Sequence, residues 1–71
     1  MVPTMRPVVS SCVAAIGYDE RVLEVYVEFH NGRTYAYAGV PRSIWREFEN
    51  ADSKGRFVNL VLKPVCPCRE V

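Results

Sequence analysis

The chain has 71 residues, three cysteines and a formal net charge of +1, and 49% of its residues are hydrophobic. That length holds one domain with a small core, burying about 60% of the unfolded surface, and the apolar fraction excludes intrinsic disorder. A net charge so near zero is not in itself a polyanion-binding signature. The charge is uneven, however. Residues 1–52 carry five Arg against seven acids, whereas residues 53–71 carry Lys54, Arg56, Lys63 and Arg69 against Glu70 alone. This basic tail reads as a solvated surface or as a phosphate-binding patch. Met1–Val9 is short and broken by Pro3 and Pro7, so it reads as neither a signal peptide nor a membrane span. The expectation is a cytoplasmic protein with no membrane partner, in a reducing compartment that keeps an odd number of cysteines as thiols.

Met1–Arg6 reads as a flexible N-terminal arm and residues 7–71 as a single domain. A first strand is predicted over Pro7–Ile16, with β-branched Val8, Val9 and Val13, ending at Gly17. A turn through Tyr18–Arg21 returns the chain antiparallel and places Gly17 opposite Val22, which puts Ile16, Ala14 and Cys12 on the core face. Strands over Val22–Phe29 and Arg33–Ala38 flank Asn31-Gly32. This dipeptide accepts φ > 0 at both central positions, so it suits a two-residue type I′ turn. The resulting register sets Val27 opposite Ala36 and Tyr26 opposite Tyr37. Because successive residues alternate faces, Leu23, Val25, Val27, Phe29, Ala36 and Ala38 form the expected core face. Glu24, Tyr26, Glu28, Tyr35 and Tyr37 form the other.

Beyond Gly39-Val40 the period changes. Pro41 suits a first helical position, and Ile44, Phe48 and Ala51 recur at helical spacing beside Trp45, which predicts a helix over Pro41–Asn50. Ser53 caps a second helix over Lys54–Leu62 with Phe57, Leu60 and Val61 inward. Phe57–Leu62 is also rich in strand formers, so helix and strand both stay open there. Pro64 and Pro67 argue against regular structure beyond Leu62. Small Ala36 and Ala38 leave room for helices to approach the sheet. The fold class is therefore α+β, a three-stranded antiparallel β-meander followed by one or two helices packed on one sheet face.

In chain order, the following segments resemble the KTSC domain: Val9-Ser10-Ser11, Ile16-Gly17-Tyr18-Asp19, Leu23-Glu24-Val25, Gly32-Arg33, Tyr35-Ala36-Tyr37, Gly39-Val40-Pro41, and Ala51-Asp52-Ser53-Lys54-Gly55 with Asn59. This short module is named for its occurrence at the C-terminus of some lysyl-tRNA synthetases, and it also occurs alone in small proteins of bacteria and their phages. The resemblance covers nearly the whole chain and implies three antiparallel strands followed by helices. It implies RNA binding only through the synthetase context. The family closes with an Arg and tyrosines where this chain has Lys63, Cys66 and Cys68.

The residues themselves offer two candidate binding features. Tyr26, Tyr35 and Tyr37 on one sheet face would stack bases at roughly 1–3 kcal/mol each, or clad the sheet at roughly 0.2–1 kcal/mol per cross-strand pair. Glu24 and Glu28 on that face would repel phosphate. The second feature is Ser53-Lys54-Gly55-Arg56, a capped helix start with two cations, which with Arg33 and Lys63 nearby would hold an anion. Asn59 joins the candidates through the family's closing segment. Catalysis is not expected. Ser10-Ser11 have no activating base, and Glu24 and Glu28 lie roughly 13 Å apart by the strand rise, too far for a paired-carboxylate hydrolase. Cys66-Pro67-Cys68 with Cys12 and His30 does not match zinc spacing, so no metal or other cofactor is expected. The expected function is a non-catalytic module that binds RNA or single-stranded nucleic acid. The alternatives are a homo-oligomer that buries the tyrosine face and a site for a small anionic ligand such as a nucleotide.

Overall fold

The computed structural model describes residues 3–71. Five strands form one antiparallel sheet in sequential order: β1 (Arg6–Pro7), β2 (Val13–Asp19), β3 (Glu24–Phe29), β4 (Thr34–Tyr37) and β5 (Cys68–Glu70). The helices are α1 (Arg42–Asn50) and a second helix that starts as α2 (Lys54–Phe57), widens into a π turn (Val58–Leu62) and ends as α3 (Lys63–Val65). The class is α+β, as expected, but the sheet has five strands rather than three. The two additional strands are short and lie at the edges.

β1 belongs to the segment read as an arm and first strand. Ser10 separates it from β2, because its hydroxyl accepts the backbone N–H groups of Cys12 and Val13 (3.3 and 3.2 Å) and so favours a turn there. Met1 and Val2 of the expected arm lie outside the described residues. Pro3, Thr4 and Met5 run so close over Gly17 that a Cβ there would sit 2.8 Å from the Met5 sulfur and 3.0 Å from the Thr4 carbonyl. β2 meets β3 with Asp19 opposite Glu24, not Gly17 opposite Val22. The loop keeps its expected length of four residues but lies two positions later, where Asp19 Oδ1 accepts the Arg21 N–H at 3.1 Å, and it carries Leu23 at φ 57.

The central hairpin departs from the expected register by one residue. Phe29 N donates to the Arg33 carbonyl at 2.9 Å, and Gly32 N donates to the Phe29 carbonyl at 3.0 Å. The loop is thus His30-Asn31-Gly32, with Gly32 alone in the left-handed region (φ 89). This is a three-residue connection closed by a glycine bulge. Asn31 favours it by accepting the Arg33 N–H on its own Oδ1 at 2.9 Å, a local Asx contact. The one-residue slip exchanges the faces of β4 relative to β3. Tyr35 stands opposite Val27 and Tyr37 opposite Val25, while Ala36 stands opposite Tyr26. Tyr35 and Tyr37 therefore lie on the helix-covered face, and Ala36 lies on the other.

That covered face holds the core of Val13, Ile16, Val25, Val27, Tyr37, Val40, Phe48, Val58 and Leu62. Val13 joins it through an irregularity in the β2–β3 ladder between Val13 and Ala15. Phe48 is fully buried and stacks on Phe57 with centroids 5.1 Å apart. Trp45 stacks on Tyr18 at 5.2 Å, and the Tyr18 hydroxyl donates to the Val40 carbonyl at 2.7 Å, so α1 is tied to the end of β2. Pro41 precedes α1 as its N-cap rather than opening it. The open question over Phe57–Leu62 resolves as helix, and regular structure continues through Pro64. A proline lacks an N–H and its ring crowds the carbonyl four residues back. The π turn just before it, with Lys63 N donating to the Val58 carbonyl, widens the backbone ahead of that ring. Pro67 in turn leads into β5, where its carbonyl accepts the Ala38 N–H at 2.9 Å.

Candidate functional site

The sequence-predicted residues fall in four separate places. Tyr26 is 4% exposed on the face away from the helices. Its hydroxyl donates to Glu24 Oε1 at 3.1 Å, and Arg69 grips the same carboxylate at 2.6 and 3.1 Å. These bonds, first from Arg69 and then from Tyr26, hold the Glu24 carboxyl below its ordinary pKa against the opposing effect of burial. The group clamps β5 to β3. A single exposed face carrying all three tyrosines does not exist, because the register divides them and the packing buries two.

At the start of the second helix, Ser53 caps as expected, its hydroxyl accepting the Arg56 N–H at 3.2 Å. Lys54 turns away from that end. Its ammonium donates to the Glu49 and Ala51 carbonyls at 3.1 and 2.7 Å and closes the C-terminus of α1. Ser53 and Arg56 border a shallow apolar groove of about 270 Å³ with Phe57, Leu60 and Val61. Asn59 is exposed on the second helix, and Lys63 lies elsewhere.

Tyr35, Tyr37 and Lys63 do come together. With Phe29, Asn31 and Cys68 they line a cleft of about 310 Å³ between the β3–β4 hairpin, β5 and the end of the second helix. This size is at the low end of small-molecule pockets. Phe29 and Tyr35 form an edge-to-face pair, with centroids 5.9 Å apart at 70°. Arg33, between Asn31 and Tyr35 in the hairpin, has its guanidinium held above its ordinary pKa by the Tyr35 hydroxyl first and by Glu70 second. Burial, followed by the charges of Cys68 and Tyr35, pushes the Tyr37 phenol up, so it stays protonated and can donate. Phe29, Asn31 and Cys68 are site residues that the sequence pattern does not mark: it places Phe29 in the core and Asn31 in a turn, and it holds no signal for β5, which carries Cys68.

A wider cleft, about 610 Å³, lies between Thr4, Arg6, Gly17, Tyr18, Asp19 and Trp45. Its charges are already matched within the chain. Arg6 pairs with Glu49 at 2.9 Å, Asp19 with Arg21 at 3.3 Å, and Arg42 with Glu20. The smaller cleft differs because Lys63 has no ion-pair partner among the described residues. The His30 ring contacts the Ser10 backbone carbonyl at 2.9 Å rather than a serine hydroxyl. Among the described residues, no three His, Cys, Asp or Glu side chains gather as metal ligands, and no helix is long and apolar enough to cross a membrane.

A crystal structure of a KTSC domain protein from Yersinia pestis superposes on this fold with a TM-score of 0.88 at 39% identity, covering 96% of each chain. A protein of Tsukamurella paurometabola is 42% identical over 60 residues, which is 84% of this chain and 90% of that protein. One from Stutzerimonas stutzeri is 40% identical over 55 residues, or 78% of each. A lysine–tRNA ligase of Nostoc punctiforme is 31% identical over 61 residues, which is 86% of this chain but 11% of the ligase. The family model for the KTSC domain matches residues 9–65. The match takes in β2 to β4, α1 and the second helix, and with it the chain belongs to the KTSC domain family.

Proposed function

We propose that the chain is a small non-catalytic module of the cytoplasm that binds RNA or single-stranded nucleic acid through the cleft of Phe29, Tyr35, Tyr37 and Lys63. The observation that carries this reading is the Phe29–Tyr35 aromatic pair beside Lys63, a cation without an ion-pair partner among the described residues, with Arg33 just ahead of β4. Aromatic ring faces stack an unstacked base whatever its identity, and cations follow the backbone. The tRNA ligase that carries a similar segment supports RNA over DNA.

Anisotropy titration of a labelled single-stranded oligoribonucleotide at rising salt tests the reading. A dissociation constant tighter than the ~10⁻⁴ M of weak non-specific binders, weakening with salt, is expected. Tyr35→Ala should cost ~1–3 kcal/mol of that affinity if one base stacks there. Absence of salt-dependent binding at that limit overturns the proposal.

A further inference from the structure

We infer that the cleft takes a nucleoside phosphomonoester, as the end of a strand or as a free nucleotide, with the Tyr37 hydroxyl as the donor at its floor and Lys63 as its cation. This rests on the cleft being the binding site proposed above. Tyr37 is 2% exposed, yet its hydroxyl has no hydrogen-bond partner among the described residues, unlike those of Tyr18 and Tyr26. No side-chain polar atom in the described residues is both fully buried and unpartnered. The hydroxyl oxygen is therefore among the few atoms of Tyr37 that reach the surface, and the residue lines the cleft. A phenol packed among core side chains, with only its O–H reaching a cavity, is a fixed donor that awaits an acceptor.

The surroundings favour an anion there. Lys63 supplies a charge without an ion-pair partner among the described residues, whereas Glu70, opposite Tyr35, is close enough to Arg33 to help raise its pKa but makes no ion pair with it. A phosphomonoester carries close to two negative charges and three acceptor oxygens, so one oxygen can meet Tyr37 while another meets Lys63. An internal phosphodiester would have to lead chain in and out past that floor, and about 310 Å³ suits one nucleotide rather than several. Phe29 and Tyr35 then meet the base, and among the described residues the Asn31 side chain is engaged through its oxygen only, which leaves its N–H₂ to donate.

The test is an NMR titration of the full chain with uridine 5′-monophosphate, uridine and inorganic phosphate, beside short oligouridylates with phosphorylated or hydroxyl ends. Uridine monophosphate should bind about tenfold tighter than uridine, ~1.4 kcal/mol, with shifts centred on Tyr35, Tyr37 and Lys63. Tyr37→Phe keeps the buried ring and should abolish that preference, and Lys63→Gln should do the same. If Tyr37→Phe does not fold, Lys63→Gln decides. Equal binding of uridine and its monophosphate, or a preference that survives both substitutions, overturns the inference. Salt-dependent oligouridylate binding that ignores the terminal phosphate overturns it while leaving the RNA reading intact. Monophosphate binding without oligonucleotide binding supports the inference and overturns the RNA reading.

Discussion

Gly32→Ala isolates the backbone conformation that sets the hairpin register. A Cβ at Gly32 meets no atom within 4 Å, so the substitution adds no steric clash and the cost lies in the φ of 89 alone. An L-residue held in the left-handed region costs roughly 1–2 kcal/mol. Reduced freedom of the unfolded chain returns about 0.4–1 kcal/mol, which leaves a net loss of about 1 kcal/mol. For a domain this small, that lowers Tm by ~4–8 °C in a circular dichroism melt. Asn31→Ala is the informative partner. Asn31 does not have positive φ, so this change removes only the Oδ1 contact to the Arg33 N–H, about 0.5–1.5 kcal/mol. A two-residue type I′ turn would add a second left-handed penalty of roughly 1–2 kcal/mol at Asn31. A loss of ~2–3 kcal/mol for Asn31→Ala, with cross-strand NOEs from Val27 to Ala36 instead of Tyr35, would refute the register and the burial of Tyr37 that follows from it.

Glu24→Gln should destabilise by about 1–2 kcal/mol at neutral pH, because it weakens the charge-assisted grip of Arg69 and Tyr26 that holds β5. The Glu24 carboxyl titrates below its ordinary 4.5 in the folded state, so its contribution is present above that pH and is lost as pH falls through the folded value. Urea unfolding from neutral pH downward should therefore show wild type converging on Glu24→Gln. Lys54→Met should lower stability by about 1 kcal/mol, through loss of two bonds to the end of α1, and leave nucleotide affinity unchanged. Melting and the NMR titration read the two effects separately.

The helices were legible because their signals are local. Ser53 caps where its hydroxyl should, and Ile44, Trp45 and Phe48 recur at the period of α1. The central strands were legible for the same reason. Their register was not, because Tyr35-Ala36-Tyr37-Ala38 is apolar at every position, and either face of β4 satisfies the hydrophobic pattern. The choice fell to the turn. Asn-Gly supports a two-residue loop, and it equally supports a three-residue loop in which only the glycine has positive φ. That single ambiguity misplaced Tyr35 and Tyr37. β5 was hidden because Cys68-Arg69-Glu70 has no strand propensity of its own and forms only against Tyr35, Ala36 and Tyr37. Lys54 was read as an anion ligand because proximity to a helix start is visible in sequence, whereas the nearby carbonyls of Glu49 and Ala51 are visible only in three dimensions.

The stack of Trp45 on Tyr18 makes the molecule self-reporting. Trp45 is the chain's sole tryptophan, and it sits where α1 meets the end of β2, with the rings nearly parallel at 9°. Its emission therefore follows the docking of the helical layer on the sheet, without an added label. The candidate cleft lies at the hairpin and β5, bordered by other residues. A ligand entering it should leave the steady-state spectrum unchanged and shift only the denaturant midpoint at which that spectrum collapses. One optical signal thus separates occupancy from unfolding in the same cuvette.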